Sequence, residues 1–308
     1  MLRLIFSRLL QLPLILFVIL VVTFVMAWVM PGDPFTADAA KQPPEAVQRA
    51  MKARYNMDKG MVVFFGSYIE GVFTRLDFGE STASPGRKVS GIIKDGLPVS
   101  ASLGLTAIAF GLLLGTTAGV LGALKPKSVL DAGSLAITLI GISLPSFVTG
   151  AILLAIGAVV TRGALMGGWG GPMDMILPSI ALGLAPAAYV ARLIRLGLAD
   201  IMSSDYIRTA RAKGLSHRDA LFKHALKVAF LPVLSFLGPA AASVMTGSFV
   251  VETIFNIPGI GQEFVYAVQN KDQMVILGVV LVFATMLITF NLLVDLAYAW
   301  VDPRIELG

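Results

Sequence analysis

Between two long apolar stretches, the chain carries a basic segment that reads Asp205-Tyr-Ile-Arg-Thr-Ala-Arg-Ala-Lys-Gly214-Leu-Ser-His-Arg-Asp-Ala-Leu-Phe-Lys-His224-Ala-Leu-Lys-Val-Ala-Phe-Leu-Pro232. Ser203, Ser204 and Asp205 offer N-cap acceptors and a negative charge at the start of a helix. Gly214 is suited to end that helix, because glycine tolerates the left-handed conformation found there. Ser216, followed three residues later by Asp219, is a second capping pattern. The segment is therefore predicted to form a helix, a stop and a second helix.

The remainder of the chain is strongly apolar. Hydrophobic residues make up 56% of the 308 residues and charged residues 14%, with a mean hydropathy of +0.82. These values are typical of an integral membrane protein and exclude an ordinary soluble domain. The first uncharged run is too long for the apolar core of a cleaved signal peptide, so we expect it to remain as an anchor.

Uncharged runs recur along the whole chain. They cover residues 9–32, 96–124, 132–161, 175–191, 228–251 and 273–294. Since a hydrocarbon core needs about 20 apolar residues per helix, the runs predict an all-α membrane protein with six transmembrane helices. The fourth run is the shortest and contains Pro178 and Pro186.

Positive charges are concentrated on one side of these predicted helices. Most Lys and Arg residues lie in the segments 1–8, 125–131, 192–227 and 302–308. The short loops at 162–174 and 252–272 carry only Arg162 and Lys271. By the positive-inside rule, both termini and the basic segment are predicted to be cytoplasmic.

The stretch 31–97 is predicted to be an extracytoplasmic insertion, because a loop of this length translocates regardless of its charges. Proline at its start predicts a short helix at 45–54. An amphipathic helix at 61–76 is predicted to lie along the membrane surface. A solvated cap on the bundle and a surface that docks a partner both fit this insertion.

Several function classes are disfavoured by what the sequence lacks. There is no cysteine, and the two histidines, His217 and His224, both lie in the basic segment. A disulfide framework, a thiolate metal site and histidine-based catalysis are therefore not expected. The net charge of +5 comes without the aromatic-interleaved basic fold that reads nucleic acid. The phosphate-binding pattern Gly-x-x-x-x-Gly-Lys-Ser/Thr is also missing, and its nearest fragment, Pro126-Lys-Ser128, lacks both glycines. We expect no catalytic residue, no metal and no cofactor bound by this chain.

Two features of the apolar runs suggest how the helices pack. Gly111, Gly115 and Gly119 repeat at a spacing of four, which predicts a close approach by another helix. This pattern is common in packed membrane bundles and carries no information about substrate.

Pro145 in the third run frees a backbone carbonyl and predicts a kink. Ser143, Ser146 and Thr149 surround it in sequence. Their hydroxyls can either satisfy the freed carbonyl locally or line a water-filled cavity, and both interpretations remain open.

In the first helix of the basic segment, Tyr206, Ile207 and Ala210 predict one apolar face at spacings of three and four. The segment 203–224 would then lie crosswise between two transmembrane helices. Its charges and helices fit a solvated loop as well as a docking element for a cytoplasmic partner.

The basic segment resembles the cytoplasmic coupling loop of binding-protein-dependent ABC importer permeases. The family pattern is Glu-Ala-Ala, three residues, glycine, nine residues and Ile-x-Leu-Pro. Gly214 fills the glycine and Ala210 the last alanine, whereas Arg208-Thr209 stand in place of Glu-Ala. His224-Ala-Leu-Lys227 replaces Ile-x-Leu-Pro, and these departures are similar to the dipeptide/oligopeptide/nickel branch of the family.

The resemblance extends over nearly the whole chain. The further matching motifs are Pro31-Gly-Asp-Pro34, Leu97-Pro-Val-Ser-Ala, Ser143-Leu-Pro-Ser-Phe147, Glu252-Thr-Ile-Phe-Asn-Ile-Pro-Gly-Ile-Gly-Gln262 and Asp302-Pro-Arg-Ile. Gly167-Gly-Trp-Gly-Gly171 and Pro34-Phe-Thr36 most resemble the oligopeptide members.

This resemblance implies a type I ABC importer transmembrane domain over 1–308 that moves peptides from periplasm to cytoplasm in the bacterial inner membrane. It implies a homologous second permease subunit, two ATPase subunits that use ATP and Mg, and a periplasmic solute-binding protein as partners. The residues it assigns to ATPase coupling are Asp205, Tyr206, Ile207, Arg208, Thr209, Ala210, Arg211, Ala212, Lys213 and Gly214.

A turn is predicted beyond the fifth run, from Pro258, Gly259 and Gly261. It has two interpretations. One is a plain connection. The other is a gate or a contact for the binding protein, to which Glu252 and Ile257 would also belong.

Other transport and enzyme classes remain as alternatives. A dipeptide or nickel permease would share the same branch. An ion-driven secondary transporter would show intramembrane acids or inverted repeats, and only Asp295, near the end of the last run, is of that kind. A membrane enzyme would need a convergent set of acids, histidines or metal ligands, which the runs lack.

Overall fold

A computed structural model describes residues 2–30, 44–54, 56–160 and 167–301. These residues form helices joined by short connections, with no β-strand among them beyond one isolated bridge between Glu80 and Lys88. The α-helices are α1 (Leu2–Val29), α2 (Glu45–Arg54), α3 (Met61–Arg75), α4 (Val89–Leu124), α5 (Val129–Ser143), α6 (Ser146–Val160), α7 (Ile176–Met202), α8 (Asp205–Ala212), α9 (His217–Asp219), α10 (Leu226–Ala229), α11 (Leu231–Ile254), α12 (Ile260–Gln269) and α13 (Gln273–Val301).

Five helical segments in the described ranges are long and apolar enough to cross a membrane. They are Leu10–Val29, Val89–Leu124, Pro172–Met202, Leu231–Ile254 and Gln273–Tyr298. A sixth span results if the pair α5 and α6 counts as one, although the chain bends by 112° between the two helices. The described residues therefore contain five or six candidate spans, and the predicted six result if α5 and α6 form one broken span rather than a re-entrant loop.

The third predicted span is not a single helix, and proline explains the break. Pro145 has no N–H to continue the helix, and its ring disfavours helical backbone in the residue before it. Leu144 accordingly has an extended backbone, with φ −101° and ψ 124°. The sequence predicts a kink at this position, but not a turn of this size.

The fourth span, α7, is longer than its uncharged run because the helix continues through charged residues. Pro186 lies inside it, and the helix continues through Arg195 to Met202. The Arg195 side chain binds the Asp131 carboxylate of α5 through two hydrogen bonds of 2.6 and 3.2 Å. Asp131 also accepts the backbone N–H of Lys127 at 2.9 Å. A paired guanidinium can thus be part of a membrane helix, which a count of uncharged residues does not anticipate.

Glycines bring α4 and α7 into close contact, as their spacing predicts. A Cβ atom on Gly115 would lie 2.5 Å from the Ala187 carbonyl oxygen and 2.7 Å from Val190 Cβ. Gly111 and Gly119 meet α7 one turn away on either side, at the Gly183 and Ala191 carbonyl oxygens. The absence of side chains lets the two backbones approach to a distance that any other residue would prevent.

The chain divides into two compact units. One consists mainly of Ser102–Phe255 and the end of α13 from Thr289, and the other contains Ile5–Ala101 and Asn256–Ile288. The second unit includes the predicted helices at 45–54 and 61–76, which the structure confirms as α2 and α3.

In this second unit, the Asp272 carboxylate fixes the loop that precedes α4. It accepts hydrogen bonds from the Ser81 hydroxyl, from Thr82 N–H and hydroxyl at 3.2 Å each, and from Ala83 N–H at 3.2 Å. Val275 N–H, at 3.2 Å, adds a fifth bond at the start of α13. Since Asp272 is only 2% exposed, these donors depend on it rather than on water.

Replacing Asp272 with alanine is expected to destabilise this unit by about 2–3 kcal/mol, because several buried donors lose their acceptor together. Thermal unfolding of the purified protein measures the change. Asp58→Ala is the matched control, since Asp58 is exposed. Equal unfolding temperatures for the two variants would contradict the assignment.

Candidate functional site

The helix at the basic segment begins and ends close to its predicted bounds. Ser204 occupies the N-cap position of α8, but its hydroxyl donates to the Ile201 carbonyl oxygen at 2.5 Å. No side-chain hydrogen bond caps α8, so the predicted side-chain cap is wrong. At the other end, Gly214 has φ +96° and its N–H donates to the Arg211 carbonyl oxygen at 3.0 Å. Glycine stops this helix as predicted.

The second capping pattern is present at Ser216 and Asp219, and the Asp219 carboxylate binds the Ser216 hydroxyl. The Ser216 hydroxyl accepts Asp219 N–H at 3.1 Å and donates to the Asp219 carboxylate at 2.6 Å. Lys223 approaches the same carboxylate to 2.7 Å. Hydrogen bonds from Lys223 and then Ser216 lower the pKa of Asp219. This arrangement caps the N-terminus of α9.

Beyond α9, the chain adopts a π-helical segment, Ala220–Ala225, before α10 and a turn at Phe230. The sequence pattern predicts an ordinary helix here and gives no sign of the wider turn. Ala220, Leu221 and Ala225 are all buried by it.

One side chain of α8 is completely buried. Ile207 is 0% exposed and lies in a hydrophobic cluster that we call the anchor cluster. The members of the anchor cluster are Val120, Val190, Ile194, Leu198, Ile207, Ala220, Leu221, Ala225, Ala229 and Val233. They come from α4, α7, α8, the π-helical segment, α10 and α11, so a displacement of α8 acts on several spans at once.

The remainder of α8 faces outward. The side chains of Asp205 and Arg208 are 92% and 73% exposed, and they pair at 3.1 Å. Thr209, Arg211, Ala212 and Lys213 are exposed as well, and Gly214 has no heavy atom within 4 Å of where a Cβ would be. Tyr206, predicted to share the apolar face, is instead 49% exposed. Of the three predicted residues, only Ile207 is fully buried, and Ala210 is half-buried.

A cavity of about 250 Å³ lies at the break between α5 and α6. Ser143 and Ser146 line it, together with Tyr189 of α7 and Ser243 of α11. Thr149 is not among the lining residues, and its hydroxyl donates to the Pro145 carbonyl oxygen at 3.3 Å, which also accepts the N–H groups of Val148 and Thr149. Ser143 and Ser146 thus line the cavity, whereas Thr149 bonds to the start of its own helix. Tyr189 and Ser243 carry no local sequence signal, since they reach the cavity from distant helices.

The turn after α11 is largely enclosed. Glu252 and Ile257 are both 0% exposed, and Gly259 and Gly261 are buried. Pro258 is the exposed member of this predicted set. A direct contact with another protein at this set would therefore involve Pro258 first.

The backbone that follows the turn after α11 is held by two contacts. The N–H of Ile260 donates to the Ser100 hydroxyl at 3.0 Å, and a Cβ on Gly96 would lie 2.8 Å from Ile260 Cγ2. These two contacts hold the start of α12, directly after the turn, against α4.

The glycine motif at 167–171 has a structural role. Gly168, with φ +105°, donates its N–H to the Phe255 carbonyl oxygen at 2.6 Å. The N–H groups of Gly170 and Gly171 bind the Asp174 carboxylate at 2.8 and 2.9 Å. The motifs at 31–34, 34–36 and 302–305 and the Arg162 position lie outside the described residues.

The fold and the site define a class of helical membrane protein. Its members would carry a short surface helix, here α8, that is anchored by one fully buried side chain and otherwise mostly exposed. The model of the family "binding-protein-dependent transport system inner membrane component" matches residues 111–307, and its N-terminal companion matches residues 1–104. The chain belongs to this family.

Relatives match over almost their entire lengths. The dipeptide transport system permease protein DppB of Bacillus subtilis (strain 168) is 40% identical over 94% of this chain and 93% of its own. The oligopeptide transport system permease protein OppB is 38% identical in Haemophilus influenzae and 39% in Escherichia coli (strain K12), over 99% of this chain and 100% of each relative.

Solved structures share the fold. The MetNI methionine ABC transporter in inward-facing conformations matches with a TM-score of 0.58 at 18% identity, over 69% of this chain and 97% of that chain. An amino acid ABC transporter crystallised with histidines matches with a TM-score of 0.52 at 18% identity, over 68% and 94%. The predicted all-α, type I ABC importer transmembrane fold is confirmed.

Proposed function

We propose that this chain is the transmembrane subunit of an ATP-driven importer that carries peptides, in particular oligopeptides, from the periplasm to the cytoplasm. The oligopeptide and dipeptide permeases among its relatives, which it matches end to end, support peptide as the substrate. Dipeptide is the second candidate, because one of these relatives is a dipeptide permease of similar identity. Both termini face the cytoplasm, in keeping with the concentration of positive charge in the segments next to them.

α8 is the element that couples the permease to an ATPase subunit. The observation that carries this proposal is the contrast between Ile207, fully buried in the anchor cluster, and the exposed charged residues around it. An exposed helix can seat in a cleft of a partner, while its buried side chain transmits movement to the spans. ATP and Mg are bound by two ATPase subunits, as expected where the chain has no phosphate-binding loop.

A homologous second permease subunit and a periplasmic solute-binding protein complete the assembly. The cavity at the α5–α6 break fits a peptide pathway, since its polar lining consists of hydroxyls that can bind backbone amide groups. The lining includes no charged side chain, so it would favour no particular peptide sequence.

Replacing Gly214 with leucine is expected to uncouple ATP hydrolysis from uptake. A residue other than glycine at φ +96° is strained by roughly 1–2 kcal/mol, too little to unfold the protein. The new side chain would occupy open space on the surface that we assign to the ATPase contact. Uptake should fall by at least about fivefold, the lower end of typical coupling energies.

Peptide uptake and ATP hydrolysis in proteoliposomes with the full assembly provide the two readings. Gly86→Leu is the matched control, because Gly86 has φ +86° and equally open surroundings in the other unit. Normal uptake by the Gly214 variant would contradict the coupling role of α8.

A further inference from the structure

Helix α3 carries an apolar stripe that the protein covers only in part. At 100° per residue, the side chains of Val62, Phe65, Ile69 and Phe73, with Leu76 just after the helix, fall within about 80° of one another. Val62 is 83% exposed, Phe73 59% and Leu76 73%. We call these five residues the α3 stripe.

The α3 stripe is distinct from the face that packs into the protein. Phe64, Tyr68 and Val72 form that packed face and are at most 5% exposed. A third face carries the exposed residues Glu70 and Thr74, with the 46% exposed Val63 between them. The helix thus has one face packed against the protein, one face with exposed polar residues and one apolar face, the α3 stripe, that is largely exposed.

The neighbour of the α3 stripe identifies its environment. The Phe65 ring lies 4.5 Å from the ring of Phe24 and 6.4 Å from that of Phe17, measured between centroids. Both partners belong to the span Leu10–Val29 of α1. Phe17 is itself 49% exposed, as expected of a side chain that contacts lipid. The edge of the α3 stripe is therefore next to side chains of α1 that belong to a candidate membrane span.

With 15 residues, α3 is too short to span a bilayer. A short helix with separate apolar and polar faces at membrane depth is typical of an interfacial helix. Exposed Lys59 and Arg75 lie at its two ends, where their charges can reach lipid headgroups.

We propose that α3 lies in one leaflet of the bilayer, parallel to its surface, with the α3 stripe in contact with lipid acyl chains. The helix would make the segment between α1 and α4 a membrane-attached element rather than a freely solvated cap. It would also hold α1 laterally through the ring contacts of Phe65.

Single cysteines test this directly, because the chain has none of its own. Val62→Cys and Phe73→Cys report on the α3 stripe, and Glu70→Cys and Thr74→Cys are matched controls on the polar face of the same helix. Phe17→Cys provides a lipid-exposed reference on α1. Each variant is labelled with an environment-sensitive fluorophore in the full assembly, with the partner subunits' own cysteines replaced by serine.

In vesicles of brominated phosphatidylcholine, fluorescence at the α3 stripe should be quenched to nearly the level of the reference. Quenching should be at least about twofold stronger there than on the polar face. Equal quenching at all four α3 positions would overturn the proposal. The proposal would also be overturned if the cysteines at the α3 stripe were not quenched and did not react with a water-soluble maleimide. A protein partner would then cover the stripe.

Discussion

Replacing Ile207 with alanine is expected to abolish peptide uptake while the ATPase subunits still bind and hydrolyse ATP. Ile207 is fully buried in the anchor cluster, and truncation of such a side chain removes about 2–4 kcal/mol of packing energy. The exposed surface of α8 would be unchanged, so the helix could still seat in its partner. Movement of α8 would no longer be transmitted to α4, α7 and α11.

Uptake and hydrolysis by the same proteoliposome preparation measure this effect. Ile207→Val should keep most of the uptake, because the smaller change costs about 0.5–1.5 kcal/mol. Val228→Ala is the matched control for truncation of an aliphatic side chain, since Val228 is 45% exposed in the same region. Normal uptake by Ile207→Ala would show that the anchor cluster does not transmit the movement.

Replacing Gly115 with leucine is expected to have the largest effect on stability. Its first side-chain atom would overlap the Ala187 carbonyl oxygen and Val190 Cβ, at 2.5 and 2.7 Å. Because the first of these atoms is backbone, α4 and α7 would have to separate, at a cost of more than about 3 kcal/mol. The yield of folded protein and its unfolding temperature in detergent should both fall sharply.

Gly133→Leu in α5 is the control for this variant, because no atom lies within 4 Å of where its Cβ would be. The leucine there adds the same apolar volume to a membrane helix without a steric clash. Equal yields and unfolding temperatures for the two variants would contradict the close packing of α4 on α7.

Much of the fold follows from local sequence. Apolar runs long enough for the bilayer, interrupted by charge, predict the spans, and proline and glycine predict the limits of α2 and α8. The exceptions depend on contacts between distant residues. Arg195 lies within the candidate span Pro172–Met202, and Asp131, 64 residues earlier, pairs with it there. The size of the break at Pro145 and the π-helical segment likewise depend on packing, which local propensity does not encode.

The candidate site shows the same division. The bounds of α8 follow from Asp205 and Gly214, and the family pattern assigns the helix to coupling. Only the structure distinguishes Ile207, which is buried, from Tyr206, which is half-exposed, since both are apolar neighbours in sequence. The cavity depends on long-range assembly as well, because Tyr189 and Ser243 join two predicted serines there.

In the proposed importer, α8 contacts an ATPase subunit. Photo-crosslinking from a benzoylphenylalanine in place of Tyr206 tests it most directly, with the same amino acid in place of the 65% exposed Met173 as control. In the intact assembly, we predict a crosslink to an ATP-binding subunit from position 206 and none from position 173. A crosslink from position 206 to the solute-binding protein, or an ATPase crosslink from position 173 alone, would contradict the account.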